Sequence, residues 1–285
     1  MTQAQAARLM DGTALARRIV EDTARQAAAL TGRTGTAPCL ATVLVGEDPA
    51  SVTYVRMKQN RCRKAGITSR HVALPATTTT DELVGTLREL SADPGVHGIL
   101  LQHPVGDHID ERAAFEAIAP EKDVDGVTFA SFATMSFGLP GFVSCTPGGI
   151  VRLLDEYGVD PAGKRAVVVG RSAILGKPVG MLLLARDATV TYCHSRTRDL
   201  SAAVREADIV VAAVGRPRLI RGQDIKPGAV VIDAGYNPGN VGDVDFDSAV
   251  ERASLITPVP GGVGPMTIAT LLEQTVTAAA RQLGV

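Results

Sequence analysis

The chain has 285 residues, of which 45% are hydrophobic, 21% are charged and 4% are aromatic. This length and composition predict a soluble protein with a sizeable core, folded as two domains or one large one. The formal net charge is −1 and tryptophan is absent, so we expect neither a nucleic acid nor an anionic membrane as a partner.

Segments typical of strands and helices alternate along the chain, which predicts an α/β fold with mostly parallel sheets. In the first half we expect helices at 14–30, 49–65, 81–91 and 110–118 and strands at 39–45, 69–74 and 96–102. Residues 127–144 are rich in Phe, Ser and Gly, and they are predicted to form a long connection. A helix from residue 146 to about residue 157 follows.

A second α/β unit is predicted from residue 165 onward. Its strands are expected at 166–169, 189–193, 207–215, 229–235 and 255–259, and its helices at 177–186 and 200–206. The final helix, at 266–283, follows a complete sheet, so we expect it to return to the first domain.

Cysteine usage and the first residues predict a cytoplasmic protein. The four cysteines are widely separated and form no C-x-x-C pair, as is usual for reduced proteins. The N-terminal residues lack the basic start and apolar stretch of a signal peptide, and no apolar run approaches the ~18 residues that span a bilayer. The five histidines are too dispersed to predict a metal site.

The segment 166–180 is predicted to contain a dinucleotide-binding turn. An apolar run stops at Gly170, small residues follow, and helical spacing then resumes. A strand, a glycine turn and a helix place backbone N–H groups against a phosphate. The spacing is G-x-S-x-x-x-G, so Ser172 stands where a second glycine is usual. Because other βα connections can look like this, the turn alone does not establish a cofactor.

The end of the next strand favours NADP over NAD. An NAD-binding fold places an acidic residue there to bind the ribose hydroxyl groups. Here the strand is followed by Ser195 and Arg196, without a carboxylate, and Arg171 lies in the glycine turn. Guanidinium and hydroxyl groups suit a 2′-phosphate. The alternative is that these are solvated loop charges.

Candidate catalytic residues occur in the first half. Tyr54 and Lys58 lie one helical turn apart on one face, and such a pair in a cleft can transfer protons because desolvation lowers the pKa of a lysine. An exposed lysine without a role is the alternative. Gln102 and His103 end a strand at the edge where open α/β sheets bind ligands.

Two aspartates, Asp123 and Asp125, lie in a polar turn. They are equally well explained as ligand-binding groups or as structural caps, because paired carboxylates at this spacing are common in turns.

Together these segments resemble the bifunctional methylenetetrahydrofolate dehydrogenase/methenyltetrahydrofolate cyclohydrolase family, along nearly the whole chain. The matching segments are 54–58, 98–102, 120–126, 145–147, 170–172 and 258–267. The resemblance implies two α/β domains flanking a cleft: a folate-binding catalytic domain at 1–145, joined by a final helix at 266–285, and a Rossmann-type, doubly wound NADP-binding domain at 146–265. It further implies NADP-dependent oxidation of 5,10-methylenetetrahydrofolate, hydrolysis of the product to 10-formyltetrahydrofolate, and a homodimer.

The resemblance also implies roles for individual residues. The catalytic residues would be Lys58, Tyr54 and Gln102. The substrate would be bound by Asp125, Tyr54, Pro260, Gly261 and Gly262. The cofactor would be bound by Gly170, Arg171, Ser172, Ser195 and, through its backbone, Tyr236. We expect Lys58 to act mainly as the neutral amine, because a fixed positive charge beside a developing cation would raise the barrier.

The chain departs from the family pattern at several positions. They are His103, Ser131, Ala133, Ser144 and Tyr236, where the family usually has Leu, Asn, Gly, Pro and Ile. These changes leave two alternatives open. One is a dehydrogenase that has lost efficient cyclohydrolase activity, and the other is a regulatory protein that binds folate or NADP with little turnover.

Overall fold

A computed structural model describes residues 6–46 and 58–285 of the chain. By their internal contacts these residues form two compact units. One comprises the described residues of Met1–Arg17, Met135–Leu139 and Ser144–Thr267, and the other those of Arg18–Thr134, Pro140–Val143 and Ile268–Val285. The domain boundaries after residues 145 and 265 remain a prediction.

Helices and strands alternate through the described residues, which confirms the α/β class. The strands are β1 (Arg8–Leu9), β2 (Cys39–Val45), β3 (Thr68–Leu74), β4 (Gly98–Gln102), β5 (Arg165–Val169), β6 (Thr189–Cys193), β7 (Ile209–Ala212), β8 (Val230–Asp233) and β9 (Leu255–Ile256). The helices are α1 (Gly12–Thr34), α2 (described over 58–64), α3 (Thr80–Ala92), α4 (Glu111–Phe115), α5 (Phe129–Ser136), α6 (Cys145–Glu156), α7 (Gly176–Leu184), α8 (Leu200–Arg205), α9 (Phe246–Ala249) and α10 (Val263–Gln282).

The first unit contains a six-stranded sheet in the order β1-β9-β8-β7-β5-β6. All of its neighbouring strands are parallel. The inner strands β7 and β8 are buried along their whole length, as their Val- and Ile-rich sequences predict for strands covered on both faces. This parallel sheet confirms the predicted Rossmann-type fold.

The second unit contains a three-stranded parallel sheet in the order β3-β2-β4. The central strand β2 is buried at six of its seven residues. Helix α3 begins with a capping box, in which the Thr79 hydroxyl accepts from the Glu82 N–H and the Glu82 carboxylate accepts from the Thr79 N–H. Its buried face consists of Leu83, Leu87 and Leu90, the spacing that a helix needs to cover a core.

The prediction of a long connection at 127–144 is wrong over part of its length, because α5 lies within it. Its first N–H group, that of Phe129, donates to the Glu116 carboxylate at 2.9 Å, and the Thr128 N–H donates to Asp123 at 2.9 Å. Thr128 also caps the helix locally, because its hydroxyl accepts from the Ser131 N–H at 3.2 Å. The Glu116 and Asp123 acceptors come from earlier in the chain, so the local sequence shows only part of what starts this helix. The strand β1 and the helix α9 are short and were also missed. Of the helix predicted at 49–65, residues 49–57 lie outside the described part.

Among the described residues, none of the helices combines the length and the apolar character that crossing a membrane requires.

Candidate active site

Lys58 and Gln102, two of the predicted catalytic residues, are joined by a hydrogen bond. Lys58 begins the described part of α2 and is 6% exposed, and its Nζ donates to Oε1 of Gln102 at 3.0 Å. Gln102 ends β4, and its Nε2 donates to the His103 carbonyl at 3.0 Å. The amide oxygen is thereby turned toward the amine, at the carboxyl edge of a parallel sheet, where ligands bind. Tyr54 lies outside the described residues.

The thiol one helical turn beyond Lys58 adds no nucleophile to this pair. Cys62 is buried, and burial raises its pKa to about 11. A cysteine attacks as the thiolate, which a raised pKa disfavours. We therefore assign Cys62 to the packing beneath the amine.

The two aspartates of the Pro-Glu-Lys-Asp-Val-Asp-Gly turn have different environments. Asp123 is fully buried. Its carboxylate accepts from the N–H groups of Val127 and Thr128 and from the hydroxyls of Thr128 and Ser131, at 2.6–3.1 Å. Four donors make Asp123 a structural residue that fixes the following loop. Asp125 is partly exposed, so it is the one of the two aspartates that a ligand can reach.

Ser131 and His103, two of the residues that depart from the family pattern, both contact neighbouring side chains of this unit. The Ser131 hydroxyl donates to Asp123 at 2.6 Å. The His103 ring meets the Phe115 ring edge-on, with centroids 5.9 Å apart, and the guanidinium of Arg112 lies 5.3 Å from the Phe115 centroid. Both substituted side chains therefore take part in local packing.

In the other unit, the predicted dinucleotide-binding turn joins β5 to α7. Gly170 has φ +132°, and a Cβ there would lie 2.3 Å from the Ala213 carbonyl oxygen, so this position requires glycine. The Ser172 hydroxyl accepts from the N–H groups of Leu175 at 3.2 Å and Gly176 at 3.1 Å. The Ser172 hydroxyl therefore satisfies the N–H groups of the two residues at which α7 begins, which gives a serine a role where a second glycine is usual.

Ser195 lies at the same sheet edge as this turn. β5 lies between β6 and β7, and the chain passes to β6 on one side before it returns to β7 on the other, which is the kind of switch point where doubly wound sheets bind ligands. Ser195 follows β6 in a turn in which the His194 N–H donates to the Thr197 hydroxyl and the Thr197 N–H donates to the His194 carbonyl, both at 2.8 Å. Its side chain is exposed.

Cations are distributed unequally between the two edges of the six-stranded sheet. Near the amino edge two of them are paired at 2.6 Å, Arg165 with Glu206 and Lys226 with Asp208, while Lys164 has no ion pair among the described residues. Four exposed arginines near the carboxyl edge have no ion pair within the part of the chain that the structure describes: Arg171, Arg196, Arg198 and Arg216. Uncompensated guanidinium groups at a ligand-binding edge favour an anionic ligand such as a phosphate.

The Pro-Gly-Gly segment predicted to bind substrate lies against the start of α1. The Thr13 N–H donates to the Gly261 carbonyl at 2.9 Å, and a Cβ on Gly12 would lie 1.8 Å from the Gly262 carbonyl oxygen. Gly262 is buried, whereas Pro260 is exposed and Gly261 is partly exposed. The surface that a ligand can reach in this segment is therefore that of Pro260 and Gly261.

Tyr236 follows β8 and is 71% exposed. Its hydroxyl donates to Oδ1 of Asn240 at 2.7 Å. Because β8 is parallel to β7, Tyr236 leaves the sheet at the carboxyl edge, together with the glycine turn and Ser195.

Two buried aspartates near this edge, Asp233 and Asp243, were not selected from the sequence. Asp233 ends β8 and accepts from the N–H groups of Gly235, Asp243 and Val244, at 2.9–3.0 Å. A Cβ on Gly242 would lie 1.9 Å from Oδ2 of Asp233. The sequence feature that could have indicated this buried aspartate is its position at the end of an apolar strand, with Gly235 and Gly242 following it. Glycine at these positions leaves space for the two carboxylates.

The buried carboxyl of Asp233 predicts a measurable dependence of stability on pH. Burial raises its pKa to about 6, and the Asp243 carboxylate adds to this effect. The folded protein then holds the proton more tightly than the unfolded chain, so the stabilising contribution is complete below pH 4 and is lost as the pH rises to 6. The difference corresponds to about 3 kcal/mol.

Denaturant unfolding of the wild type and of Asp233→Asn between pH 4 and pH 7 measures this contribution. We expect the wild type to lose stability relative to the variant, which cannot ionise, as the pH rises. A difference between the two proteins that is constant with pH, or that changes in the opposite direction, would contradict the assignment.

Comparisons with known proteins agree with both units. Residues 10–125 match the family described as tetrahydrofolate dehydrogenase/cyclohydrolase, catalytic domain. Residues 144–283 match the family described as tetrahydrofolate dehydrogenase/cyclohydrolase, NAD(P)-binding domain. The chain is 81% identical to bifunctional protein FolD 1 of Streptomyces avermitilis, over 100% of this chain and 99% of that protein.

Solved structures of relatives have the same fold. The bifunctional FolD enzyme from Campylobacter jejuni is 43% identical with a TM-score of 0.94, over 97% of this chain and 99% of that one. The Trypanosoma brucei dehydrogenase-cyclohydrolase, solved with NADP and an inhibitor, is 40% identical with a TM-score of 0.95, over 99% of this chain and 100% of that one. The resemblance inferred from the sequence is confirmed: the chain belongs to the tetrahydrofolate dehydrogenase/cyclohydrolase family.

Proposed function

We propose that the protein oxidises 5,10-methylenetetrahydrofolate to 5,10-methenyltetrahydrofolate with NADP and hydrolyses this product to 10-formyltetrahydrofolate. The observation that carries the proposal is the hydrogen bond between the buried Lys58 and the partly exposed Gln102. A protein that only binds folate has no need of an amine oriented by an amide at its ligand edge. A bifunctional enzyme needs such an amine for the proton transfers of hydrolysis.

Lys58 would move protons in the hydrolysis. As water attacks the cationic one-carbon bridge, its proton passes to the neutral Lys58 amine. The same proton is then delivered to N5 of the folate as the bond between N5 and the one-carbon unit breaks. The hydroxyl group on that carbon releases its own proton to solvent, which leaves the formyl group on N10. A neutral amine suits this step, because a fixed positive charge would oppose the approach of a cationic substrate. Burial of Lys58 also disfavours its charged form.

The other substrate residues would orient the reactants. Gln102 holds the Lys58 amine through its side-chain oxygen, and Tyr54 is proposed to act beside it. Asp125 is proposed to accept hydrogen bonds from the pterin N–H groups, for which a partly exposed carboxylate in a fixed turn is suited. Pro260, Gly261 and Gly262 are proposed to contact the substrate through the segment that precedes α10.

The residues at the carboxyl edge of the six-stranded sheet fit NADP. When bound, NADP supplies the hydride acceptor for the oxidation. Gly170 leaves a surface without a side chain where its turn approaches Ala213, which suits the diphosphate. Ser172 and the backbone of Tyr236 are proposed as further contacts. Arg171 and Ser195 supply a cation and a hydroxyl for the 2′-phosphate.

Separate assays of the two reactions test the proposal. Purified protein would be given 5,10-methylenetetrahydrofolate with NADP or NAD to follow NADPH or NADH formation, and 5,10-methenyltetrahydrofolate alone to follow its decay. We expect both reactions, with NADP preferred. NADPH formation alone would support a dehydrogenase that has lost the hydrolysis. Binding of NADP and folate without turnover would support a regulatory protein.

We also propose that the protein is a cytoplasmic homodimer. All four cysteines are free and buried, which suits a reducing compartment.

The proposed dimer surface includes β6, which lies at one end of the described sheet. Tyr192 on β6 is 36% exposed, and Leu184 on the neighbouring α7 is 55% exposed. A strand at the end of a sheet flanked by apolar side chains is a surface that a second copy can cover. Light scattering should therefore give twice the chain mass.

A further inference from the structure

The carboxylate of Asp243 accepts hydrogen bonds from the backbone of the turn that follows β7. The residue is fully buried. Its Oδ2 accepts from the N–H groups of Val214 at 2.6 Å and Gly215 at 2.9 Å, and its Oδ1 accepts from the Arg216 N–H at 2.8 Å. Oδ1 also accepts from Nδ2 of Asn237 at 3.0 Å. Three consecutive amides thus converge on one carboxylate.

A row of converging N–H groups is an arrangement that binds anions in many proteins. Gly215 has φ +63°, the left-handed conformation that lets neighbouring amides point into one concavity. In this protein the concavity holds the chain's own carboxylate, so these amides are not available to a ligand phosphate. The turn instead presents the exposed Arg216 side chain, which has no ion pair among the described residues.

This turn is joined to the glycine turn at the switch point. The Ala213 N–H donates to the Val169 carbonyl at 2.8 Å. The Ala213 carbonyl oxygen is also the atom that a Cβ on Gly170 would clash with. Asn237, which follows Tyr236, is tied to the same carboxylate as the β7 turn. A single buried group therefore fixes the turns after two neighbouring strands, beside the proposed cofactor contacts.

We propose that Asp243 is a positioning residue for NADP, which holds the 214–216 turn so that Arg216 and the surface around Gly170 are preformed for the cofactor's diphosphate. The inference rests on the proposed function, because it requires NADP at this edge. A turn fixed before binding avoids the loss of conformational freedom that a ligand would otherwise have to offset. A carboxylate satisfied by four donors also holds the turn more firmly than a neutral side chain can.

Asp243→Asn tests the inference because it keeps the shape and replaces one acceptor oxygen with a donor that faces N–H groups. We expect the Kd for NADP, measured by titration calorimetry, to rise about 10-fold or more, as expected when charged hydrogen bonds are lost. The KM for NADP should rise in parallel, with kcat of the oxidation and the cofactor-free hydrolysis changed less than about 3-fold.

Asp208→Asn is the matched control. Asp208 accepts from the Arg165 N–H at 2.9 Å and from Lys226 at 2.6 Å, near the opposite edge of the same sheet. Its loss should lower the melting temperature of the protein without changing the Kd for NADP.

A pair of glycine variants keeps the test decisive if Asp243→Asn does not fold. Gly215 and Gly228 have φ +63° and +83°, and a Cβ on either would meet no atom within 4 Å. Alanine at either position therefore introduces similar backbone strain and no clash. We expect similar losses of melting temperature, but weaker NADP binding only for Gly215→Ala.

The outcomes separate this inference from the proposed function. An unchanged Kd for NADP in Asp243→Asn or Gly215→Ala, or an equal loss of NADP binding and hydrolysis, would overturn the positioning role. Wild-type protein that binds NADP but does not oxidise the substrate would overturn the proposed function and leave the role of Asp243 measurable by the same titrations. Wild-type protein that does not bind NADP would overturn both.

Discussion

Replacing Lys58 with methionine is expected to lower the rate of 5,10-methenyltetrahydrofolate hydrolysis by about 10²–10⁴-fold, the usual contribution of a positioned acid–base group. Methionine has a similar length and fits the buried site, so the protein should remain folded. The loss should appear in kcat, because the amine acts on the proton transferred at the transition state. The decay of the methenyl compound with purified variant gives the rate directly.

Lys64→Met is the matched control for this variant. Lys64 lies on the same helix but is exposed, so its replacement should leave hydrolysis unchanged. The Kd for NADP should be the same in both variants, because neither residue lies in the unit that contains the six-stranded sheet. Full hydrolysis by Lys58→Met would show that the buried amine is not the proton carrier.

The combined variant Arg171→Ala and Ser195→Ala is expected to raise the KM for NADP roughly 100-fold, the effect of losing one charged and one neutral hydrogen bond. The KM for NAD should change little, because NAD lacks the 2′-phosphate that these groups are proposed to bind. The preference between the two cofactors should therefore shrink or reverse, as measured by kcat/KM for each.

Arg186→Ala serves as the control for the loss of a surface cation. Arg186 precedes β6 at the opposite edge of the sheet and pairs with Asp155. Its replacement should not alter either KM. Equal losses of NADP and NAD binding in the combined variant would mean that Arg171 and Ser195 contact a part shared by the two cofactors.

Local sequence signals predicted most of the fold but could not supply contacts between distant segments. The buried run at 166–169 and its halt at Gly170 are local features, and the structure has the strand and turn they predict. The start of α5 has a local cap in Thr128, but it also depends on the Glu116 carboxylate, which stands 13 residues earlier in the chain. The two-residue strand β1 is likewise defined only by its pairing with β9.

The candidate site shows the same limit. Lys58 and Gln102 could be selected from helix spacing, strand position and the family resemblance, and the structure joins them. Spacing alone could not tell Asp123 from Asp125, and only the family resemblance selected Asp125. The fold supplies the physical reason, because the carboxylate of Asp123 is fully hydrogen-bonded to its neighbours. Asp243 was missed because its function depends on amides of the 214–216 turn, a segment that sequence patterns treat as an ordinary strand end.

We assign the hydrolytic amine to one unit and the NADP site to the other. Parallel assays of both reactions with the wild type, Lys58→Met and the combined Arg171 and Ser195 variant test this assignment. We predict a crossed result: the first variant loses hydrolysis but binds NADP normally, and the second loses NADP-dependent oxidation at low NADP but hydrolyses the methenyl compound at the wild-type rate. Both variants losing both properties to the same extent would contradict it.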